Sequence, residues 1–267
     1  MSHATAEVGI FGGSGFYSLL EDADEVAVVT PYGAPSAAPV VGRLGERSVA
    51  FIPRHGRGHE LPPHRIPYRA NLWAMHSLGV TQVVGPCAAG SLRRDVAPGD
   101  FVVVDQLVDR TSGRAQTFQD QGSIHVGFAD PYCPAGRAAA LAAASEGGIN
   151  VHDGGTMVVV EGPRFSTRAE SQWYAAAGWS VINMTGHPEA VLARELALCY
   201  TSIALITDYD AGLADDPDVP AVTMEEVFAV FADNNARLRG LLDRLVRSLP
   251  SGERSCPCAR ALDSAGH

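Results

Sequence analysis

Residues 134–206 read PAGRAAALAAASEGGINVHDGGTMVVVEGPRFSTRAESQWYAAAGWSVINMTGHPEAVLARELALCYTSIALI, and their alternating pattern sets the fold class. The alanine-rich stretch 135–146 reads as a helix, and TMVVV at 156–160 as a buried strand. Thr167-Arg168-Ala169-Glu170 is a capping box, in which a hydroxyl and a carboxylate satisfy free N–H groups at a helix start. A strand follows at 180–183, and Pro188 suits the first position of a helix over 188–197. YTSIALI at 200–206 closes the stretch as another strand. Strands alternating with helices predict an α/β fold: one central, mainly parallel or mixed sheet with helices on both faces.

Toward the N-terminus the same signals continue. Val8 to Phe11 is an apolar strand that ends in Gly12-Gly13-Ser14-Gly15. Strands are expected at 26–30 (VAVVT), 48–52, 81–84 and 101–105, and a helix near 68–77. Residues 53–67 are too rich in Pro, Gly and His for regular structure, and 110–134 form a long polar excursion. Toward the C-terminus, Thr223-Met224-Glu225-Glu226 is a second capping box, opening a helix to about 248 with Phe228, Leu238 and Leu245 on one side. No repeat or linker divides the chain. One domain is expected over 1–250, with 251–267 a frayed polar tail.

A chain of 267 residues is long enough to bury a core without staples. Thirty acidic against twenty basic residues give a net charge of −10, which argues against nucleic-acid or anionic-membrane partners but not against one local anion pocket. Five cysteines, three in apolar surroundings, suggest reduced thiols. With no apolar run of membrane length and no leader-like start in MSHATAEVGIFGG, a cytoplasmic location is expected.

Several segments just past strand ends carry chemistry. Gly12–Gly15 is either a tight turn or a cradle of backbone N–H groups for an anion; it matches neither a Walker loop nor a dinucleotide fingerprint. Arg54-His55-Gly56-Arg57-Gly58-His59 concentrates donors suited to an oxyanion such as phosphate. A metal on His55, His59 and His64 is the weaker reading, because no helix can form there to converge them. Cys87, in the small-residue run 86–91, reads as an inert buried thiol or a nucleophile without a visible base. Phe165 is either a core ring or one that stacks on a planar base. Asp208 and Asp210 could be turn formers, could bind a metal as the D-x-D of some glycosyltransferases does, or could hydrogen-bond a purine.

Taken together, GGSGFY, RHGRGH, ANLWA, AAGSL, PGDFVVVDQLVDRT, EGPRFSTRAES, INMT-x-x-PE and ITDYD resemble, in order, the 5′-methylthioadenosine phosphorylases. These form a branch of the trimeric purine nucleoside phosphorylases. The resemblance spans about residues 8–245. It implies a pentosyltransferase of purine salvage: reversible phosphorolysis of 5′-methylthioadenosine to adenine and 5-methylthioribose 1-phosphate. The alternative is a relative that prefers 6-oxopurine nucleosides. It also implies a homotrimer or hexamer, inorganic phosphate as cosubstrate, and neither cofactor nor metal.

Matched motif by motif, Ser14, Arg54, His55, Cys87, Ala88 and Thr185 would surround phosphate, and Met184 would lie along the ribose. Phe165 and Ser166 would face the base, and the Asp208-Tyr209-Asp210 segment would bind it, with Asp208 the acid at N7. Met224 and Val227 would line the 5′ pocket, joined by His125 from the neighbouring subunit. Three positions depart from the pattern: Cys87 for a threonine, Gly186-His187 for Thr-Val, and Met224 for a smaller aliphatic residue. Cys256-Pro257-Cys258 resembles a C-x-C near the end of some heat-stable relatives, and no function is expected of it.

Overall fold

The structure is a computed structural model that describes residues 5–12, 20–122, 124–211, 219 and 221–263. Its centre is β5 (Gln82–Ser91), a ten-residue strand that runs on through the small-residue segment 86–91, expected to lie just past the strand's end. On one side its first half pairs with β1 (Val8–Gly12), in parallel, and its last residues with β10 (Val181–Asn183), antiparallel. On the other side lies β11 (Cys199–Asp208), parallel along nearly the whole length. Glycine, alanine and cysteine at 85–91 allow this: small side chains let a strand be covered closely on both faces.

Beyond β1 the sheet continues through β4 (Arg47–Pro53), β3 (Val40–Leu44) and β2 (Glu21–Glu25). Beyond β11 lie β6 (Phe101–Val103) and β8 (Val151–Asp153), and beyond β10 lie β9 (Thr156–Val160) and β7 (Gln106–Arg110). The sheet is mixed, as expected, and the branching around β5 is what the sequence pattern does not show. The strand expected at 26–30 is absent. The edge strand is instead the acidic segment EDADE, paired antiparallel to β3 through Glu21–Arg43 and Glu25–Val40. An exposed edge strand needs only backbone partners, and charge there blocks further pairing.

Two helices cover each main face. α1 (Tyr68–Ser77) and α4 (Gly186–Glu195) pack on one side, α2 (Pro134–Glu146) and α5 (Met224–Ser248) on the other. Strand alternation divides the core between them. Phe11, Ala50, Ile52 and Ile206 face α1 and α4, while Val8, Ile10, Phe51, Ile203 and Leu205 meet Leu238, Leu241 and Leu245 of α5. α3 (Arg168–Ala176) covers the β9–β10 wing with Tyr174. Both predicted capping boxes form, at Thr167/Glu170 and Thr223/Glu226. Among the described residues, no helix is long and apolar enough to cross a membrane.

Of the tail expected to fray, the described residues 251–263 are held in place. Arg254 donates to the carbonyls of Ala197 and Thr81, at 2.6 and 3.2 Å, and Gln82 donates to that of Pro250. Cys256 and Cys258 are buried against Cys133 and Cys199. Composition misleads here because two small thiols and a few backbone bonds anchor a segment that is polar on average.

Candidate active site

The carboxyl ends of β1, β4, β5, β9, β10 and β11 converge on one cavity of about 600 Å³, closed on one side by α5. This is where ligands sit in open α/β sheets, because loops rather than sheet edges meet there.

At one end lie Arg54 and His55, just past β4. Arg54 is 4% exposed. Its Nε and Nη2 donate to the two carboxylate oxygens of Glu189, at 2.5 and 3.0 Å, and Nη1 donates to the Pro86 carbonyl at 3.0 Å. Burial opposes the charge, but the Glu189 carboxylate outweighs it and keeps the guanidinium pKa above its ordinary value. Tyr200 also donates to Glu189 at 2.7 Å. A guanidinium has five N–H donors, so Arg54 keeps donors for a cavity anion.

The Nδ1 of His55 lies 2.8 Å from the Leu61 carbonyl. A carbonyl only accepts, so Nδ1 carries the proton and Nε2 is left as an acceptor. Burial lowers the ring's pKa to about 4, and Arg54 adds to this, so His55 is neutral near pH 7. His59 stacks on it, with centroids 4.4 Å apart.

At the other end are the two aspartates. The register of β11 against β5 shifts between Ile206 and Asp208, a bulge that turns Asp208 in opposite Gly90. Asp208 accepts from the Thr207 hydroxyl and the Asp210 backbone N–H, both at 2.7 Å. Burial raises its pKa against those bonds, with the Asp210 and Glu226 charges adding. Asp210 is 3% exposed and its pKa is likewise raised by burial. The Ser171 and Ser166 hydroxyls partly offset that rise, yet neither completes a well-formed hydrogen bond. Asp210 Oδ2 and both hydroxyls therefore remain buried and unpartnered among the described residues. Unpaired polar atoms are costly, and a ligand with matching donors and acceptors would relieve that cost. Phe165 lines the cavity beside them.

The wall toward α5 is apolar: Met224, Val227, Phe228 and Phe231, with Met224 and Phe228 half exposed at the rim. Cys87, Ala88, Met184 and Thr185 complete the lining between the two ends. Burial pushes the Cys87 thiol up to about 11, so it is not a thiolate at neutral pH.

Not every expected residue reaches the cavity. Ser14 lies outside the described residues. Tyr209, between two inward-turned aspartates, is half-buried and not in the lining. His125 is exposed on the excursion, away from its own chain's cavity. His187 is buried, its Nε2 3.2 Å from Asp109, and does not line the cavity. Burial lowers its pKa.

Three residues are singled out only by the structure. Glu189 anchors Arg54. Asn183 accepts from the backbone N–H of Thr185 and of Gly186, at 2.6 and 2.7 Å, and donates to Ala88. Arg114, within the excursion, donates to the carbonyls of Met184, His187 and Glu161, at 2.9, 2.6 and 2.6 Å. Glu189 and Asn183 at least lie within INMT-x-x-PE; Arg114 carries no local signal.

The family model of the phosphorylase superfamily matches residues 7–247. A purine nucleoside phosphorylase of Streptomyces coelicolor is 58% identical over 96% of this chain and 94% of its own. An S-methyl-5′-thioadenosine phosphorylase of Mycolicibacterium smegmatis is 56% identical over 93% of each chain. Among solved structures, a methylthioadenosine phosphorylase from an antarctic soil metagenomic library superposes with a TM-score of 0.91 at 38% identity, covering 98% of this chain and 92% of that one. The methylthioadenosine phosphorylase of Schistosoma mansoni in complex with adenine gives 0.86 at 37% identity, over 91% of each chain.

Proposed function

The chain belongs to the phosphorylase superfamily, and we propose that it cleaves the N-glycosidic bond of 5′-methylthioadenosine with inorganic phosphate, releasing adenine and 5-methylthioribose 1-phosphate. The observation that carries this reading is one cavity with a cationic end at Arg54 and a pair of buried carboxyl groups at the other. Breaking the bond builds positive charge on the sugar and negative charge on the purine. Phosphate at the Arg54 end stabilises the first and attacks the anomeric carbon. Protonation of N7 by Asp208, whose pKa burial raises, relieves the second. His55, neutral and with Nε2 as acceptor, takes a hydrogen bond from a protonated phosphate oxygen or a sugar hydroxyl. Asp210 accepts from the 6-amino group. The apolar wall of Met224, Val227 and Phe228 suits an uncharged thioether better than a 5′-hydroxyl. No step calls for a metal or cofactor.

The cavity rim also suits completion by a second copy, with His125 of a neighbouring subunit reaching the 5′ end of the nucleoside in a homotrimer.

A 6-oxopurine preference is the second reading, and the Streptomyces coelicolor relative, named a purine nucleoside phosphorylase, bears a name that covers such substrates. The aspartates oppose it: an ionised carboxylate facing a 6-oxo group pairs two acceptors, at about 1–3 kcal/mol. A donating His187 would have offset this, but it does not line the cavity. Adenine release from methylthioadenosine should require phosphate, and kcat/KM should exceed that for inosine at least tenfold. Asp208→Asn should lower kcat on adenine nucleosides about 10²-fold or more with little change in KM. Equal or greater efficiency on inosine would reject the 6-amino assignment, and base release without phosphate would reject phosphorolysis.

A further inference from the structure

Cys133, Cys199, Cys256 and Cys258 come from three separate parts of the chain: the start of α2, the start of β11 and the C-terminal segment. Their four Sγ atoms lie within 4.8 Å of one another, all are buried, and none is in a disulfide. None lines the cavity described above. Four thiolates at about 2.3 Å from a tetrahedral zinc ion stand about 3.8 Å apart, so the cluster needs only small side-chain adjustments to match.

The surroundings fit thiolate ligands as well. The Gly136 N–H donates to Cys133 Sγ at 3.5 Å, and the Arg254 guanidinium to Cys199 Sγ at 3.7 Å. Cys133 is also the N-cap of the thirteen-residue α2, where the helix dipole favours negative charge. Four thiolates around a divalent cation carry a net charge of −2, and one guanidinium plus a helix N-terminus opposes it. N–H donors to ligating sulfur are the outer shell such centres use.

We propose that these four cysteines bind one zinc ion in a closed, structural tetrathiolate site that pins the C-terminal segment to the sheet. Each thiol releases its proton to solvent as it ligates, and with all four positions filled by protein the ion has no open site for catalysis.

The full chain, purified under reducing conditions without chelator from zinc-supplemented medium, should contain one zinc per chain by elemental analysis. After denaturation in chelator without reductant it should titrate five thiols. Stripping the metal should lower Tm by roughly 5 °C or more, and Co(II) should restore it with the thiolate-to-metal charge-transfer and d–d bands of a tetrahedral sulfur site. Cys256→Ser combined with Cys258→Ser should abolish stoichiometric zinc while leaving kcat on nucleoside within about twofold. Five free thiols with no zinc, fewer than five thiols with no zinc (a disulfide), or a Co(II) complex without sulfur charge transfer would each overturn the proposal. The metal analysis of the unmodified chain holds even if the variant fails to fold.

Discussion

Arg54 commits three of its N–H donors to Glu189 and the Pro86 carbonyl, so its removal strikes the fold as well as the anion end of the cavity. Arg54→Ala leaves a buried carboxylate without a countercharge, at about 3–5 kcal/mol, visible as a lower urea midpoint. Adding Glu189→Gln should recover part of that stability. The KM for phosphate should stay raised in the double variant, well beyond any change for nucleoside; a return to the original value would remove Arg54 from the phosphate site. His55 makes a pH-dependent contribution. Above pH 6.5 its ring is neutral in both folded and unfolded chains. Between pH 6.5 and 4 only the unfolded chain takes up the proton, so stability is lost as the pH drops through that window. His55→Asn keeps a donor for the Leu61 carbonyl but cannot titrate. Its unfolding free energy should fall less steeply from pH 6.5 to 4 than that of the unsubstituted chain.

The pairing of β5 with β11 positions the base end of the site. Gly90 lies opposite the bulge, and a Cβ there would stand 2.7 Å from Asp208 Oδ1 and 3.0 Å from Ile182 Cγ2. Gly90→Ala must therefore push the Asp208 carboxyl aside. A displacement of about 1 Å can cost on the order of 10²-fold in rate. The expected result is a folded protein, by circular dichroism, whose kcat is lower by that order; unchanged turnover would mean that the position of Asp208 does not matter. Arg114 acts between elements: its guanidinium collects carbonyls from the ends of β9 and β10 and from the start of α4, and so holds the strand ends that present Met184.

For the assembled molecule, the rim is the informative region. Phe228 is 54% exposed and Met224 48% exposed beside an apolar cavity wall, and His125 stands on an excursion none of whose described residues lines its own cavity. If a neighbouring copy completes the 5′ end, specific activity should fall on dilution in step with the loss of trimer seen by light scattering. His125→Ala should then raise KM for methylthioadenosine more than KM for phosphate. Full activity in a demonstrated monomer would contradict the trimeric site.

Local information was sufficient for much of this protein. Alanine-rich and capped segments determined α2, α3 and α5, because helix starts are settled by residues three apart. The apolar runs at 48–52, 156–160 and 200–206 determined buried strands, because a strand covered on both faces tolerates little else. The acid pair at the end of β11 and the Arg-His loop past β4 were visible as polar groups at strand ends. Tertiary structure decided what depends on distant partners. EDADE rather than VAVVT forms the edge strand, because backbone pairing with β3 outweighs side-chain pattern where neither face needs burial. The Arg54–Glu189 pair closes over 135 residues of sequence, and His187 turns to Asp109 instead of the cavity. The four thiols meet only when the C-terminal segment folds back on the start of β11. Charge and coordination act through space, and only the packed sheet sets which of these groups are neighbours.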